Sequence, residues 1–80
     1  MDIGEAVRER ILALCREKKL SVIKLCHTSG VAESTIKSIL NGESKNPGTV
    51  TIKKLCDGLE ITLGEFFSTP EFDALEQEIK

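Results

Sequence analysis

Residues 20–42 read LSVIKLCHTSGVAESTIKSILNG, and this stretch decides the fold. Ser21 is a favourable N-cap for a short helix, and Gly30 supplies the left-handed backbone that ends a helix and turns the chain sharply. A following helix is predicted over about Glu33–Leu40, and Asn41-Gly42 provides its C-terminal stop. Two short helices joined by a tight, glycine-containing turn form a helix-turn-helix unit.

The sequence on both sides of this unit is also helical, and no alternating stretch is long enough to indicate a strand. Asp2 and Thr62 are each followed three residues later by glutamate, the spacing of a capping box, so helices are predicted over about 3–18 and 63–67. Another helix is predicted over about 49–59. The apolar residues expected to face the core, at least in part, are Ile3, Val7, Ile11, Leu14, Cys15, Ile23, Leu25, Cys26, Ile36, Ile39, Leu40, Val50, Ile52, Leu55, Cys56 and Leu59. The basic residues expected mostly in solvent are Arg8, Arg10, Arg16 and Lys19.

The length and composition indicate one small soluble domain. The chain has 80 residues, of which 40% are hydrophobic and 30% are charged. We expect an all-α, compact five-helix domain over residues 1–68 and a short helical tail over residues 69–80. The longest apolar run, Ile11–Cys15, is far shorter than the roughly 20 residues that span a bilayer. Charged residues also interrupt the N-terminus, unlike a signal peptide. The sequence therefore indicates a cytoplasmic protein without a membrane partner.

The C-terminal tail carries a helix signal of its own. Thr69-Pro70 places proline at the first helical position, and Phe72, Leu75 and Ile79 would form a narrow apolar stripe on an amphipathic helix. A helix of about ten residues is not stable alone. The tail is therefore expected to pack on the domain, to join a partner chain, or to fray.

The cysteines and the one histidine do not suggest a metal or catalytic site. Cys15, Cys26 and Cys56 are widely spaced, without a C-x-x-C motif, as buried thiols of a reducing compartment would be. His27 directly follows Cys26, and adjacent helix positions do not face the same way. There is also no phosphate-binding or nucleophile-elbow motif. We expect no metal, no cofactor and no enzymatic activity.

Charge is distributed unevenly along the chain. The formal net charge is -2, yet residues 1–56 carry ten Lys or Arg and six Asp or Glu, while residues 57–80 carry one and seven. This asymmetry favours an anion-facing surface in the first part of the chain. An acidic tail that is merely solvated explains the same numbers.

The helix-turn-helix stretch resembles the Cro/cI-type family, also called the xenobiotic-response-element family. The resemblance continues through Asn46-Pro47, Thr51–Leu59 and Ile61–Phe67 and covers about residues 5–67. It implies a phage-repressor-like DNA-binding domain whose third helix enters the major groove of double-stranded DNA, commonly as a homodimer.

The resemblance also implies which residues would touch DNA. By position, the base-reading residues are Ala32, Glu33, Ser34, Lys37 and Ser38, and the phosphate-contacting residues are Ser21, Asn41 and Lys45. Lys37 has the chemistry to donate to guanine O6 and N7, and Glu33 to accept from cytosine N4. Phosphate contacts would hold the register without selecting sequence.

Three positions depart from the family pattern. Val22 stands where glutamine is frequent and cannot hydrogen-bond a phosphate. Ala32 replaces the usual Ser or Thr cap of the third helix. Glu33 places a negative charge close to DNA, and its spacing from Lys37 also suits an ion pair on a solvated helix face.

Two functions follow from these observations. The first is a sequence-specific transcriptional regulator, a repressor, whose dimer would bind half-sites about 34 Å apart. The second is a protein-interaction or antitoxin-like module on the same fold with weak or no DNA affinity. Its partner surface would include Phe72, Leu75 and Ile79.

Overall fold

Six α-helices form within residues 1–79, the part of the chain that the computed structural model describes, and no strand occurs there. Their bounds are α1 Ile3–Lys18, α2 Val22–Ser29, α3 Glu33–Leu40, α4 Thr49–Leu59, α5 Leu63–Phe67 and α6 Pro70–Asp73. This architecture confirms the predicted all-α, five-helix domain with a short additional helix at its C-terminus.

Side-chain caps begin several of the helices, as their sequences predict. The backbone N–H of Lys24 donates to Ser21 Oγ at 3.1 Å, which starts α2. Thr62 and Glu65 form a complete capping box at α5, with both hydrogen bonds at 3.0 Å. Gly30 ends α2 with φ 71°, in the left-handed region. These ends fix the lengths of the short helices locally.

Lys19 and Glu60 end α1 and α4 in the left-handed conformation, with φ 56° and 59°. Neither is glycine, so sequence alone gave no signal for this geometry. The backbone N–H of Leu20 donates to Cys15 O at 2.9 Å and so satisfies one of the last carbonyls of α1. Both residues thus adopt a backbone conformation that is unfavourable for a residue with a Cβ atom.

The core lies between the helix-turn-helix and the helices on either side of it. Its fully buried large side chains are Ile11, Leu25, Ile36, Leu55, Cys56, Leu59 and Phe66. The backbones of α2 and α4 touch at one point, where a Cβ atom on Gly58 would lie 2.8 Å from Ser29 Cα. The missing side chain of Gly58 thus allows α4 to approach α2 of the helix-turn-helix closely.

Three apolar residues expected to face the core are exposed instead: Ile3 at 41%, Ile23 at 60% and Val50 at 68%. Ile3 lies at the start of α1 and lines a surface cleft. Ile23 and Val50 each lie two positions before a buried residue, Leu25 and Ile52, and two steps along a helix rotate a side chain by about 200°. Ile23 therefore lies on the side of α2 opposite Leu25, and Val50 on the side of α4 opposite Ile52. The prediction was wrong for these three residues.

Arg10, expected mostly in solvent, instead ties α1 to α5. Its Nε and Nη2 donate to the carbonyl oxygens of Phe66 and Glu65, each at 2.8 Å. These carbonyls belong to the last turn of α5, where no intrahelical donor is available. One guanidinium therefore supplies the C-terminal cap of a five-residue helix.

The tail packs on its own domain but does not form the predicted stripe. α6 has only four residues, against the ten or so expected, and ends at Asp73. Phe72 is half-buried against the core, with its ring 5.0 Å from that of Phe67. Leu75 lies in a surface cleft beside Met1, and Ile79 is 86% exposed. Packing of Phe72 outweighs helix extension because so short a helix has little stability of its own.

Within residues 1–79, no helix is long and apolar enough to cross a membrane.

Candidate nucleic-acid interface

α3 has one buried side and one polar, exposed side. Ile36 and Ile39 are buried, at 1% and 2% exposure, and fix the rotation of the helix about its axis. The residues predicted to contact bases all lie away from this side: Ala32, Glu33, Ser34 and Lys37 are exposed and Ser38 is half-buried. Thr35, which sequence reasoning left out, is exposed as well. The structure therefore brings the five predicted residues onto one accessible surface.

Glu33 and Lys37 form an ion pair on this surface. Lys37 Nζ lies 2.9 Å from Glu33 Oε1, and the side chains are 62% and 51% exposed, respectively. The hydrogen bond and the negative charge of Glu33 raise the pKa of Lys37 above its usual value. The charge of Lys37 is therefore matched by a neighbouring anion on the same surface.

The N-terminus of α3 has no side-chain cap. Ala32 occupies the N-cap position with φ -59° and ψ 142° and contributes no hydrogen bond from its side chain. This agrees with the expectation from its methyl side chain. An uncapped helix start has N–H groups that can donate to an acceptor outside the chain.

Two of the predicted phosphate-contacting residues lie at the ends of the short helices, and the third lies in the loop after α3. Ser21 is exposed, and its Oγ accepts the Lys24 N–H while its own proton remains free to donate. Asn41 is the exposed C-cap of α3. Lys45 is exposed in the following loop. Val22, by contrast, is half-buried and packs against the core.

The loop after α3 is folded back onto the last turn of that helix. The N–H groups of Glu43 and Ser44 both donate to Ser38 O, at 2.9 and 3.0 Å. Gly42 has φ 80°, which allows the chain to reverse at this point. These hydrogen bonds fix the position, relative to α3, of the loop that contains Lys45.

Arg8 is a residue that sequence reasoning missed. It was expected mostly in solvent, yet it is half-buried and its Nη1 lies 3.4 Å from the position of a Cβ atom on Gly42. Arg8 and Gly42 are far apart in sequence, so only the folded chain reveals that they are neighbours.

A separate apolar cleft of about 300 Å³ lies among α1, α4, α5 and the loop before α4. Ile3, Leu63 and Phe67 line it and are 41%, 42% and 37% exposed. No residue of α2 or α3 lines this cleft.

The cysteines are free thiols. Cys15 and Cys56 are buried, and burial raises the pKa of both. Cys26 is half-buried. In the part of the chain that the structure describes, no three His, Cys, Asp or Glu side chains are placed to hold a metal ion.

Comparison with known proteins identifies similar sequences. The sequence model of the Cro/C1-type HTH DNA-binding domain family matches residues 10–71. The HTH-type transcriptional repressor RghR of Bacillus subtilis (strain 168) is 42% identical over 57 residues, which make up 71% of this chain and 42% of that relative. The match therefore spans less than half the length of that relative. No solved structure matches the chain significantly.

Proposed function

The chain belongs to the family of Cro/C1-type HTH DNA-binding domains, and from this premise we propose that it is a sequence-specific transcriptional repressor. In this proposal α3 enters the major groove of double-stranded DNA, and the N-terminus of α2 meets the phosphate backbone. The observation that carries the proposal is the polar outward side of α3, held in place by its buried Ile36 and Ile39.

Lys37 and Glu33 are the residues we propose as the main base contacts. A G·C pair presents guanine O6 and N7 acceptors and the cytosine N4 donor in the major groove. Lys37 would donate to the guanine and Glu33 would accept from a cytosine amino group. Their ion pair at 2.9 Å keeps the Lys37 ammonium and the Glu33 carboxylate on the same part of the surface.

Ala32, Ser34 and Ser38 complete the proposed reading surface. Serine hydroxyls accept or donate, so Ser34 and Ser38 suit several bases, and the Ala32 methyl suits contact with a thymine methyl. Phosphate contacts from Ser21, Asn41 and Lys45 would set the register on the duplex.

We further propose that the repressor binds as a homodimer through the apolar cleft lined by Ile3, Leu63 and Phe67. A second copy covering these exposed side chains would bury apolar surface. The cleft includes no residue of α2 or α3, so the α3 surfaces of both copies would stay accessible. Lys45 also lines the cleft, and its phosphate contact would therefore be made beside the dimer interface. Leu63→Lys should then shift the oligomeric state in solution to monomer, measured by light scattering. Lys54→Leu changes an exposed residue of α4 outside the cleft and should leave the oligomeric state unchanged.

The direct experiment is selection from a randomised duplex pool at two salt concentrations, read by sequencing. We expect enrichment of a two-fold symmetric motif that is lost in Ser34→Ala and Lys37→Ala. Lys54→Ala removes an exposed α4 cation and is the matched control, which should retain the motif. Equal binding of all duplex sequences that is lost at the higher salt concentration would mean that the protein binds DNA through electrostatics alone, without sequence specificity.

An interaction module on the same fold remains the second candidate. The acidic residues after position 56 favour it, since they repel DNA and suit a basic protein partner. Phe72 packs against its own domain, so Leu75 and Ile79 would be the apolar part of such a surface. No enrichment of any duplex at either salt concentration would favour this candidate over the repressor.

A further inference from the structure

The loop after α3 contacts one face of α1 at two points. A Cβ atom on Gly4 would lie 2.5 Å from the carbonyl oxygen of Lys45, so the loop backbone rests directly on α1 there. One turn further, Arg8 Nη1 lies 3.4 Å from a Cβ position on Gly42. Residues four apart share a helix face. The Arg8 guanidinium and the Lys45 backbone are thus positioned by the same part of α1.

We propose that Arg8 joins Lys45 in a phosphate-binding site for double-stranded DNA, so that α1 adds one contact to those assigned above. This inference rests on the proposed function. The two cations border a cleft of about 170 Å³ at the C-terminal end of α3. Asp2, Gly4, Glu5 and Gly42 line the same cleft.

The guanidinium of Arg8 has donors to spare. Its side chain is 30% exposed, and within residues 1–79 its one ion-pair partner is Glu9, at 3.8 Å. That distance is too long for a hydrogen bond. A planar guanidinium with unused N–H groups matches two phosphate oxygens, whereas a lysine acts as a point charge. The absence of a side chain at Gly42 leaves the approach to this guanidinium open.

The position of the cleft agrees with the proposed docking. α3 has eight residues and is therefore about 12 Å long, which is about the width of the major groove. When α3 lies in the groove, its C-terminal end comes close to a bordering phosphate backbone. Arg8 and Lys45 lie at this end.

Two carboxylates in the same cleft oppose an anion. Asp2 Oδ1 accepts the Glu5 N–H at 2.8 Å and is engaged in capping α1. The Glu5 side chain is exposed. Its charge would repel an approaching phosphate. Removing that charge should strengthen DNA binding, which a purely structural role of Arg8 would not predict.

The test measures binding of the full chain to the duplex enriched from the randomised pool, between 50 and 200 mM salt. Arg8→Gln should weaken binding about tenfold and reduce the slope of log K against log salt by about 0.9, the value for one phosphate contact on duplex DNA. Arg8→Lys should retain most of the slope. Glu5→Gln should strengthen binding a few-fold. Arg16→Gln is the matched control on an exposed part of α1 and should bind like the parent chain.

Two different failures are distinguishable. If the parent chain and Arg16→Gln bind with the same slope as Arg8→Gln, the Arg8 site is wrong while the proposed function stands. If no duplex is enriched or bound by the parent chain, the proposed function fails and this site fails with it. Should Arg8→Gln not fold, as judged by circular dichroism, unchanged binding in Glu5→Gln would overturn the site.

Discussion

The contact between α2 and α4 and the outward side of α3 differ in almost every physical respect. At the first, a missing side chain allows two backbones to touch, and a Cβ atom on Gly58 would lie 2.8 Å from Ser29 Cα. On the second, a 2.9 Å ion pair between Glu33 and Lys37 lies in solvent. Buried backbone contact tolerates almost no change, whereas exposed side chains tolerate much. Substitutions should therefore separate stability from DNA binding cleanly.

Gly58→Ala should have the largest effect on stability. Alanine normally stabilises a helix relative to glycine by roughly 0.5–1 kcal/mol. Here the added methyl clashes with the Ser29 backbone, so we expect a loss of about 1–3 kcal/mol in the free energy of unfolding. Urea denaturation measures it. Gly64→Ala is the control, because a Cβ there meets only Thr62 Oγ1 at 3.7 Å; it should not destabilise. Equal effects of the two changes would mean that α2 and α4 are not in close contact.

Arg10→Ala should follow in size. It removes two hydrogen bonds from a charged donor to the carbonyls of Glu65 and Phe66. We expect a loss of about 1–2 kcal/mol in the free energy of unfolding, because one of the two bonds is exposed to solvent. Arg16→Ala, on the same helix but without such bonds, should have little effect. Equal denaturation midpoints for the two variants would show that Arg10 does not cap α5.

Lys37→Ala tests the opposite side of the comparison. It removes an exposed cation whose ion pair is fully accessible, so the urea midpoint should not change. Affinity for the enriched duplex should nevertheless fall about tenfold to hundredfold, because a base contact is lost. Fluorescence anisotropy measures the affinity. A lowered urea midpoint with unchanged affinity would place Lys37 in the framework rather than on the reading surface.

Lys19→Gly should have the smallest effect, and it should be favourable. Lys19 ends α1 with φ 56°, a conformation that glycine adopts without cost. We expect a gain of about 0.5–1 kcal/mol in the free energy of unfolding and no change in DNA affinity. Glu17→Gly, within α1, should instead lose stability, since glycine is unfavourable inside a helix. A loss at both positions would indicate that α1 does not end at residue 19.

The sequence predicts those features that depend on neighbours along the chain. The caps at Ser21 and Thr62 and the stop at Gly30 require only a few adjacent residues, and all three form as expected. The family resemblance similarly predicts that Glu33, Ser34 and Lys37 lie on the exposed side of α3.

Features that depend on residues distant in sequence were not predictable in this way. Arg10 reaches carbonyls 55 and 56 residues away, and Gly58 meets Ser29 only when α2 and α4 pack. Arg8 meets Gly42 through the same long-range packing. The exposure of Ile23 and Val50 likewise depends on which side of each helix its neighbours cover. Local patterns carry no information on these pairings.

The most direct measurement of the central claim is a titration of the ¹⁵N-labelled chain with the enriched duplex, followed by NMR amide shifts. We expect the largest changes in α3, at Ser21 and over residues 41–45, with few changes in α6. Changes confined to residues 57–79, or none at any duplex concentration, would contradict the proposal that α3 contacts DNA.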